Sequence, residues 1–274
     1  MLSIFGYNGS LINKFVLVLI LKNFVISLSS ALERRQHIEQ VFNEQGIEFE
    51  FFDAVTPAQA KILAMQYFPE CDLTRLTPTE LACAISHIEV WKRAQAYNSK
   101  YFSVFEDDIY LGKDSHLFLK NHDWIKRDFH ILKLETFLEK VIVGQEEEEY
   151  FGRKICQLRH YHFGAAGYLL NKDIVDLLIN KVRSNNKFKA IDWILFHDPI
   201  IEESVKVYQL YPALCIQDQI LNEVKKFPSF LEGDRAQYTF RKDQITIEKK
   251  IKREILKCYR QLIGVFIFKI IPYK

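Results

Sequence analysis

Closely spaced cysteine pairs are missing from this sequence. Five cysteines stand at positions 71, 83, 156, 215 and 258, with no CxxC among them. A zinc knuckle or disulfide framework is therefore excluded as the organising device, and free thiols in a reducing compartment are expected. Glycine is scarce, ten in 274 residues, which removes collagen-like and linker-rich readings. Long apolar runs are also lacking. Phe15–Leu21 stops at Lys22 and Asn23, well short of the ~20 residues that span a bilayer. No small-residue cleavage site accompanies it, so residues 1–21 are expected to form an apolar N-terminal extension, as a peripheral segment or extra strand. Net charge is only +2 with 49% hydrophobic residues, which excludes disorder as the main state and fits one large domain.

The charge that is present is unevenly placed. Residues 241–274 carry ten Lys/Arg against three acids, whereas the preceding 240 residues carry 27 bases and 32 acids. The basic segment also holds Ile245, Ile247, Ile251, Ile255, Leu256, Tyr259, Leu262 and Ile263. It reads as a basic amphipathic helical tail that ends in a short hydrophobic stub, GVFIFKIIPYK, suited to an anionic membrane surface; the alternative is a helix docked on the body with its lysines in water. No nucleic-acid-binding motif accompanies the charge, so nucleic acid is not an expected partner.

Between these ends, apolar strands alternate with helical patterns. Phe24–Leu28 reads as a strand running into a helix over 31–45, which Gly46 ends. A second strand follows over 47–52, and Pro57 opens a helix to about Phe68. Thr77-Pro78-Thr79-Glu80 is a capping box with proline at the first helical position. It predicts a helix with Leu81, Ala84, Ile85, Ile88 and Trp91 on one face. Further strands are predicted over 101–105, 130–134, 153–158, 164–170 and 205–211, a helix over 172–182, and a solvated acidic loop over 146–149. This alternation predicts an α/β protein with a mostly parallel sheet and flanking helices over residues 22–240.

Ligands of open α/β sheets bind beyond the carboxyl ends of the strands. Two acidic features fall there: Glu106-Asp107-Asp108 after YFSVF, and Glu135 after a shorter strand. Three adjacent carboxylates repel one another and call for a cation. Mn²⁺ or Mg²⁺ suits them, because hard cations take carboxylate and phosphate oxygens together. In extended chain Glu106 and Asp108 share one side; the plain alternative is a solvated turn. His87 lies four residues from both Cys83 and Trp91 on the capped helix, and its ordinary reading is a satisfied core residue. Gly164-Ala165-Ala166-Gly167-Tyr168 supplies small residues that allow close backbone approach, without the spacing of a dinucleotide fingerprint.

The blocks FVISLSSALERRQHI, LTPTELACAISHIEVWKRA, FSVFEDDIYLG, ILKLET, FGAAGYLLNK, IDWILF and YPALCIQD, in this order, resemble glycosyltransferase family 25. These are lipooligosaccharide-biosynthesis enzymes of Gram-negative bacteria, with collagen galactosyltransferases as distant relatives. The resemblance covers about Lys22 to Lys226. It implies a GT-A-like, Rossmann-related nucleotide-sugar-binding sheet, a UDP-hexose donor (most often UDP-galactose), Mn²⁺ or Mg²⁺, and inversion at the anomeric carbon. Glu106-Asp107-Asp108 takes the place of the family's DxD-like motif, departing from it by its leading glutamate. Glu106 and Asp108 are then the expected metal ligands. Ser27, Leu28, Arg34, Arg35, Ser86, His87 and Asp107 are the expected donor-binding residues.

An inverting displacement needs a general base for the acceptor hydroxyl. Asp192 is ranked first for that role, then Asp218 and Glu135. Trp193 beside Asp192, with Gly167 and Tyr168, would contact the acceptor sugar. The expected reaction is hexose transfer, galactose foremost, from the UDP donor to a sugar hydroxyl of the lipooligosaccharide core. The expected place is the cytoplasm, peripheral on the inner face of the inner membrane. The rivals are a catalytically inactive carbohydrate-binding relative and a metal-dependent nucleotidyltransferase.

Overall fold

A computed structural model describes residues 22–222, 224, 226, 227 and 268–274. The proposed extension 1–21 and residues 241–267 of the proposed tail lie outside the described residues. The elements, in chain order, are β1 (Lys22–Ser27), α1 (Leu32–Asn43), β2 (Glu50–Asp53), α2 (Pro57–Tyr67), α3 (Pro78–Ala94), β3 (Tyr101–Glu106), β4 (Ile109–Leu111), α4 (His116–Leu119), β5 (Ile131–Lys133), β6 (Glu135–Thr136) and β7 (Lys140–Tyr150). They continue with β8 (Arg153–Leu158), β9 (Gly167–Asn171), α5 (Val175–Ser184), α6 (Ile191–Phe196), α7 (Asp198–Ile201), β10 (Val207–Tyr211), β11 (Cys215–Gln217), α8 (Asp218–Leu221) and β12 (Phe268–Ile270).

Nine strands form one sheet in the order β12-β7-β8-β10-β5-β9-β3-β1-β2, and β4-β11-β6 form a second, small sheet. The class is α/β, as the sequence pattern predicts, but the main sheet is mixed and not mostly parallel. Only β1–β2, β1–β3 and β10–β5 pair in parallel; β9 runs antiparallel to both β3 and β5, and β7, β8 and β12 add an antiparallel meander. The acidic stretch 146–149, expected as a loop, belongs to β7 and pairs with β8. A hairpin partner next in the chain supplies the ladder that the acidic composition hides.

Strand alternation divides the core in two. On one side of the sheet Phe24, Ile26, Phe102, Val104, Tyr168 and Leu170 pack with α3 residues such as Ile85, Ile88 and Trp91. On the other, Val25, Phe105 and Leu169 pack with Ile38 and Phe42 of α1. The same alternation aims Glu106, the last residue of β3, toward α3. That helix starts where expected: Thr77 Oγ1 accepts from Glu80 N at 3.1 Å, and Glu80 Oε2 accepts from Thr77 N at 2.9 Å. A second capping box, Thr56 with Gln59, opens α2 behind Pro57.

The end of the expected tail returns to the body. Phe268–Ile270 pairs antiparallel with β7, Ala213 N donates to Pro272 O at 2.8 Å, and Thr136 Oγ1 donates to Ile271 O at 2.7 Å. Residues 268–274, the end of the hydrophobic stub, therefore form a strand and a strap on the body.

Gly167 is held by packing. A Cβ there would lie 2.2 Å from Cys215 Sγ and 3.4 Å from Phe105. Gly167→Ala is expected to destabilise the chain by about 1–3 kcal/mol through overpacking, read as a lowered melting temperature. An unchanged melt would contradict this packing.

Candidate active site

The carboxyl ends of β1 and β3 and the start of α3 frame an open cleft, lined by Ser27, Leu28, Arg34, Cys83, Ser86, His87, Glu106, Asp107, Asp108 and Gln217. The acidic triplet sits where β3 turns toward β4. Asp107 Oδ2 accepts from Ser27 Oγ at 2.7 Å, and Asp107 Oδ1 accepts from Arg34 Nη1 at 2.5 Å. Asp108 Oδ2 is 3.8 Å from the same guanidinium nitrogen. Gln217 Nε2 lies 3.3 Å from both Glu106 Oε2 and Asp108 Oδ1. One amide thus gathers two carboxylates, while Asp107 is turned aside to Arg34.

Charge in the cleft is undercompensated. Burial, then the charge of Asp107, pushes Glu106 up to about 7; Arg34 opposes this. Burial, then Glu106, pushes Asp108 up to about 7. Between the ordinary carboxylate range and pH 7 the folded chain keeps protons that the unfolded chain has released. These groups therefore reduce stability progressively as pH rises through that window. A cation bound to the ionised carboxylates reverses the effect. Mn²⁺ is expected to raise the melting temperature more at about pH 8 than at about pH 6. Equal shifts at both pH values would count against carboxylate ligation.

The remaining donor-site expectations divide. Ser27 and Leu28 line the cleft, as do Arg34, Ser86 and His87. Ser86 Oγ is occupied by backbone, accepting from Val55 N at 2.9 Å and donating to Ala82 O at 2.7 Å. Arg35 does not line the cleft. Its guanidinium bonds Ser27 O at 3.0 Å, Leu28 O at 3.1 Å and Asp53, and covers the Phe51 ring, so it fastens β1 to β2. Cys83 and Gln217 were missed in the sequence. Their signal lay in the blocks ELACAISH and CIQD, but nothing local marks either as facing the triplet.

The three candidate bases occupy different surroundings. Glu135 is fully buried. Its Oε2 accepts from Lys133 Nζ at 3.1 Å and from Ala166 N at 2.9 Å, and burial pushes its carboxyl up to about 7. Its Oε1 has no hydrogen-bond partner, and none of the side chain is exposed. Asp218 is 1% exposed. Burial raises its pKa, but bonds from Phe227 N, Asn222 Nδ2, Lys226 N and Tyr110 Oη outweigh this and leave it below the ordinary range. It holds a loop together. Asp192, in the first turn of α6, is half-buried and near enough to Glu106 and Cys83 for its charge to raise both. Its Oδ1 accepts from Trp193 N at 2.9 Å and its Oδ2 from Tyr161 Oη.

Trp193 is 40% exposed and stands 5.5 Å from the Tyr161 ring and 4.0 Å from His197. This aromatic corner can take a sugar face. Tyr168 cannot: it is fully buried, accepts from Trp91 Nε1 at 2.7 Å and lies 2.9 Å from His87 Nδ1. The expectation that Gly167 and Tyr168 touch an acceptor is corrected. The close backbone approach allowed by the small residues is to the chain itself, Gly167 to Cys215 and Gly164 to Glu135 and Phe137.

The fold and cleft define an α/β protein with a carboxylate-rich ligand site at the strand ends. The family model of glycosyltransferase family 25 (LPS biosynthesis protein) matches residues 20–195. The chain is 35% identical to the lipooligosaccharide biosynthesis protein lic2B of Haemophilus influenzae, over 92% of this chain and 99% of that protein. It is 34% identical to the lacto-N-neotetraose biosynthesis glycosyltransferase LgtE of Neisseria meningitidis, over 88% and 91%. The chain belongs to glycosyltransferase family 25. Among solved structures, a glycosyltransferase involved in glycosylation of the major capsid of PBCV-1 is similar at 10% identity and a TM-score of 0.42, over 79% of this chain and 98% of that one.

Proposed function

We propose that this glycosyltransferase moves a hexose, galactose foremost, from a UDP donor to a sugar hydroxyl of a lipooligosaccharide core, with inversion. The observation that supports this most is the convergence of Glu106 and Asp108 on Gln217 at the end of β3, both held well above the ordinary carboxylate range. Arg34 offsets the charge of such a pair only in part, and the pair fits a hard divalent cation, Mn²⁺ or Mg²⁺, with Glu106 and Asp108 as its protein ligands. The cation, when bound, supplies Lewis-acid neutralisation of the departing diphosphate. A GT-A-like arrangement is part of the same reading.

In this reading Arg34 fixes Asp107, and with Ser27 and Leu28 forms the wall that receives the nucleotide. Asp192 takes the proton from the acceptor hydroxyl, and Trp193 packs on the acceptor ring. The names of lic2B and LgtE, a lipooligosaccharide biosynthesis protein and a lacto-N-neotetraose biosynthesis glycosyltransferase, support an acceptor that is a growing oligosaccharide. A donor screen on purified protein with Mn²⁺, truncated core oligosaccharides and a panel of nucleotide sugars tests the proposal. Galactosylated product is the expected result. Nucleoside triphosphate consumption without sugar transfer would favour a nucleotidyltransferase; sugar binding without turnover would favour an inactive relative.

Among the described residues no helix is long and apolar enough to cross a membrane. The proposed site of action is the inner face of the inner membrane, reached through the basic residues of 241–267. Each base near an anionic surface is worth about 1 kcal/mol. Replacing Lys249, Lys250, Lys252 and Arg253 by glutamine, which leaves β12 intact, is expected to cut co-sedimentation with anionic vesicles sharply. Unchanged partition would remove the membrane role.

A further inference from the structure

Helical spacing puts Cys83 and His87 one turn apart on α3, and strand alternation brings Glu106 to meet them. Cys83 Sγ lies 3.7 Å and His87 Nε2 3.5 Å from the same oxygen, Glu106 Oε1. One ligand atom from each of the three residues lies within 4.8 Å of the others. A tetrahedral zinc ion with sulfur at about 2.3 Å and nitrogen and oxygen at about 2.0–2.1 Å sets S···O near ~3.6 Å and N···O near ~3.4 Å. The S···O and N···O separations in the structure lie close to these values, and S···N lies within 4.8 Å.

A second observation points to a ligand there. His87 is fully buried, and its Nε2 has no hydrogen-bond partner although it faces this cluster. A buried polar nitrogen left unpaired is costly, so it marks a place where something binds. The other ring nitrogen is already held: Nδ1 lies 2.9 Å from Tyr168 Oη, which is itself fixed by Trp91 Nε1 at 2.7 Å. In the tautomer that carries the ring proton on Nδ1, Nε2 presents its lone pair toward Cys83 and Glu106. This is the outer-shell arrangement that orients metal-ligating histidines.

We propose that Cys83, His87 and Glu106 form a site for a thiophilic divalent cation such as zinc, distinct in chemistry from the oxygen-only pair Glu106 and Asp108. Binding forms Zn–S, Zn–N and Zn–O bonds and releases to the buffer the Cys83 thiol proton, together with the proton of whatever fraction of Glu106 is still protonated. Sulfur and imidazole select zinc over magnesium or manganese. Glu106 serves both sites through different oxygens, Oε1 here and Oε2 beside Asp108, so zinc at Oε1 draws charge from the carboxylate that the other pair uses and opposes turnover. Only this last consequence rests on the proposed donor-site reading; the binding itself does not.

Cobalt(II) titrated into the full chain tests the site without any need for activity. One equivalent is expected to produce a thiolate-to-cobalt charge-transfer band and the intense visible bands of tetrahedral cobalt, both bleached by zinc. Cys83→Ser is expected to abolish the charge-transfer band, and Cys258→Ser to leave it in place. No band in the unmodified chain, or a band that survives Cys83→Ser, would overturn the proposal. The unmodified protein gives an independent reading if that variant does not fold. Zinc, but not magnesium, is expected to slow alkylation of Cys83 by about tenfold or more, because a metal-bound thiolate is withheld from the reagent. Equal alkylation with and without zinc would equally overturn it.

Discussion

Asp108→Asn is expected to lower metal-dependent kcat/KM by about 10³-fold or more, equivalent to about 4 kcal/mol of transition-state stabilisation. Asparagine keeps the volume of aspartate and an oxygen that can accept from Gln217, so the fold has no reason to change. What it removes is a negative charge that the cleft only partly offsets: Arg34 lies 3.8 Å from Asp108 and closer to Asp107. The variant should therefore be more stable in the absence of metal. The wild-type carboxyl is held up at about 7, so its ionised form costs stability above that pH. The neutral amide should gain about 1–3 kcal/mol at about pH 8, with the gain fading toward about pH 4 as both states of the wild type become protonated. Mn²⁺ should then add little to the melting temperature. Activity and stability move in opposite directions, which no general folding defect produces. A variant that keeps metal-dependent turnover, or melts lower than the parent at alkaline pH, would defeat the assignment of Asp108.

The features legible in the sequence are those fixed by near neighbours. Thr77, Pro78 and Glu80 announce the start of α3 because a capping box is closed within four residues. The acidic triplet is legible as a strand end because Tyr101–Phe105 is apolar and the acids follow at once. Sheet direction is not local. The antiparallel placement of β9 between β3 and β5 depends on where a returning chain finds a free edge, and strand periodicity is the same in either direction. Gln217 reaches Glu106 across more than a hundred residues of chain, so its part in the cleft carries no sequence spacing. Gly167 and Tyr168 look ligand-facing because small residues permit close approach, but the approach they permit is to Cys215 and α3. Asp218 stands in a block shared with the family, yet its carboxylate is taken up by Tyr110, Asn222, Lys226 and Phe227. Residue type and position suggest chemistry; only the hydrogen-bond tally shows whether a carboxylate is free to perform it.

That tally separates the three candidate bases and sets the second large expectation. Asp192→Asn should reduce kcat by about 10²–10⁴-fold while leaving the affinity for UDP and Mn²⁺ close to that of the parent. Each oxygen of Asp192 carries one bond in the structure, from Trp193 N and from Tyr161 Oη, and an ionised carboxylate oxygen has a further lone pair to receive a proton. Those two donors orient the carboxylate without saturating it, and Trp193, 40% exposed, offers a face on which an acceptor ring would bring its hydroxyl alongside. Glu135 ranks lower on burial and not on its bonds: Lys133 and Ala166 N take up Oε2 and leave Oε1 without a partner, but the side chain is fully buried. Asp218→Asn should behave differently again: losing the acceptor for two backbone N–H groups lowers the melting temperature, and residual activity falls with the folded fraction. Tyr161→Phe should lie between, weakening the orientation of Asp192 and lowering kcat less than Asp192→Asn does. If Asp192→Asn retains kcat within a few-fold of the parent, the proton is taken elsewhere and α6 serves acceptor placement alone. If it loses donor affinity in parallel with kcat, Asp192 belongs to the donor half of the cleft, acting on Glu106 through the charge it already places there.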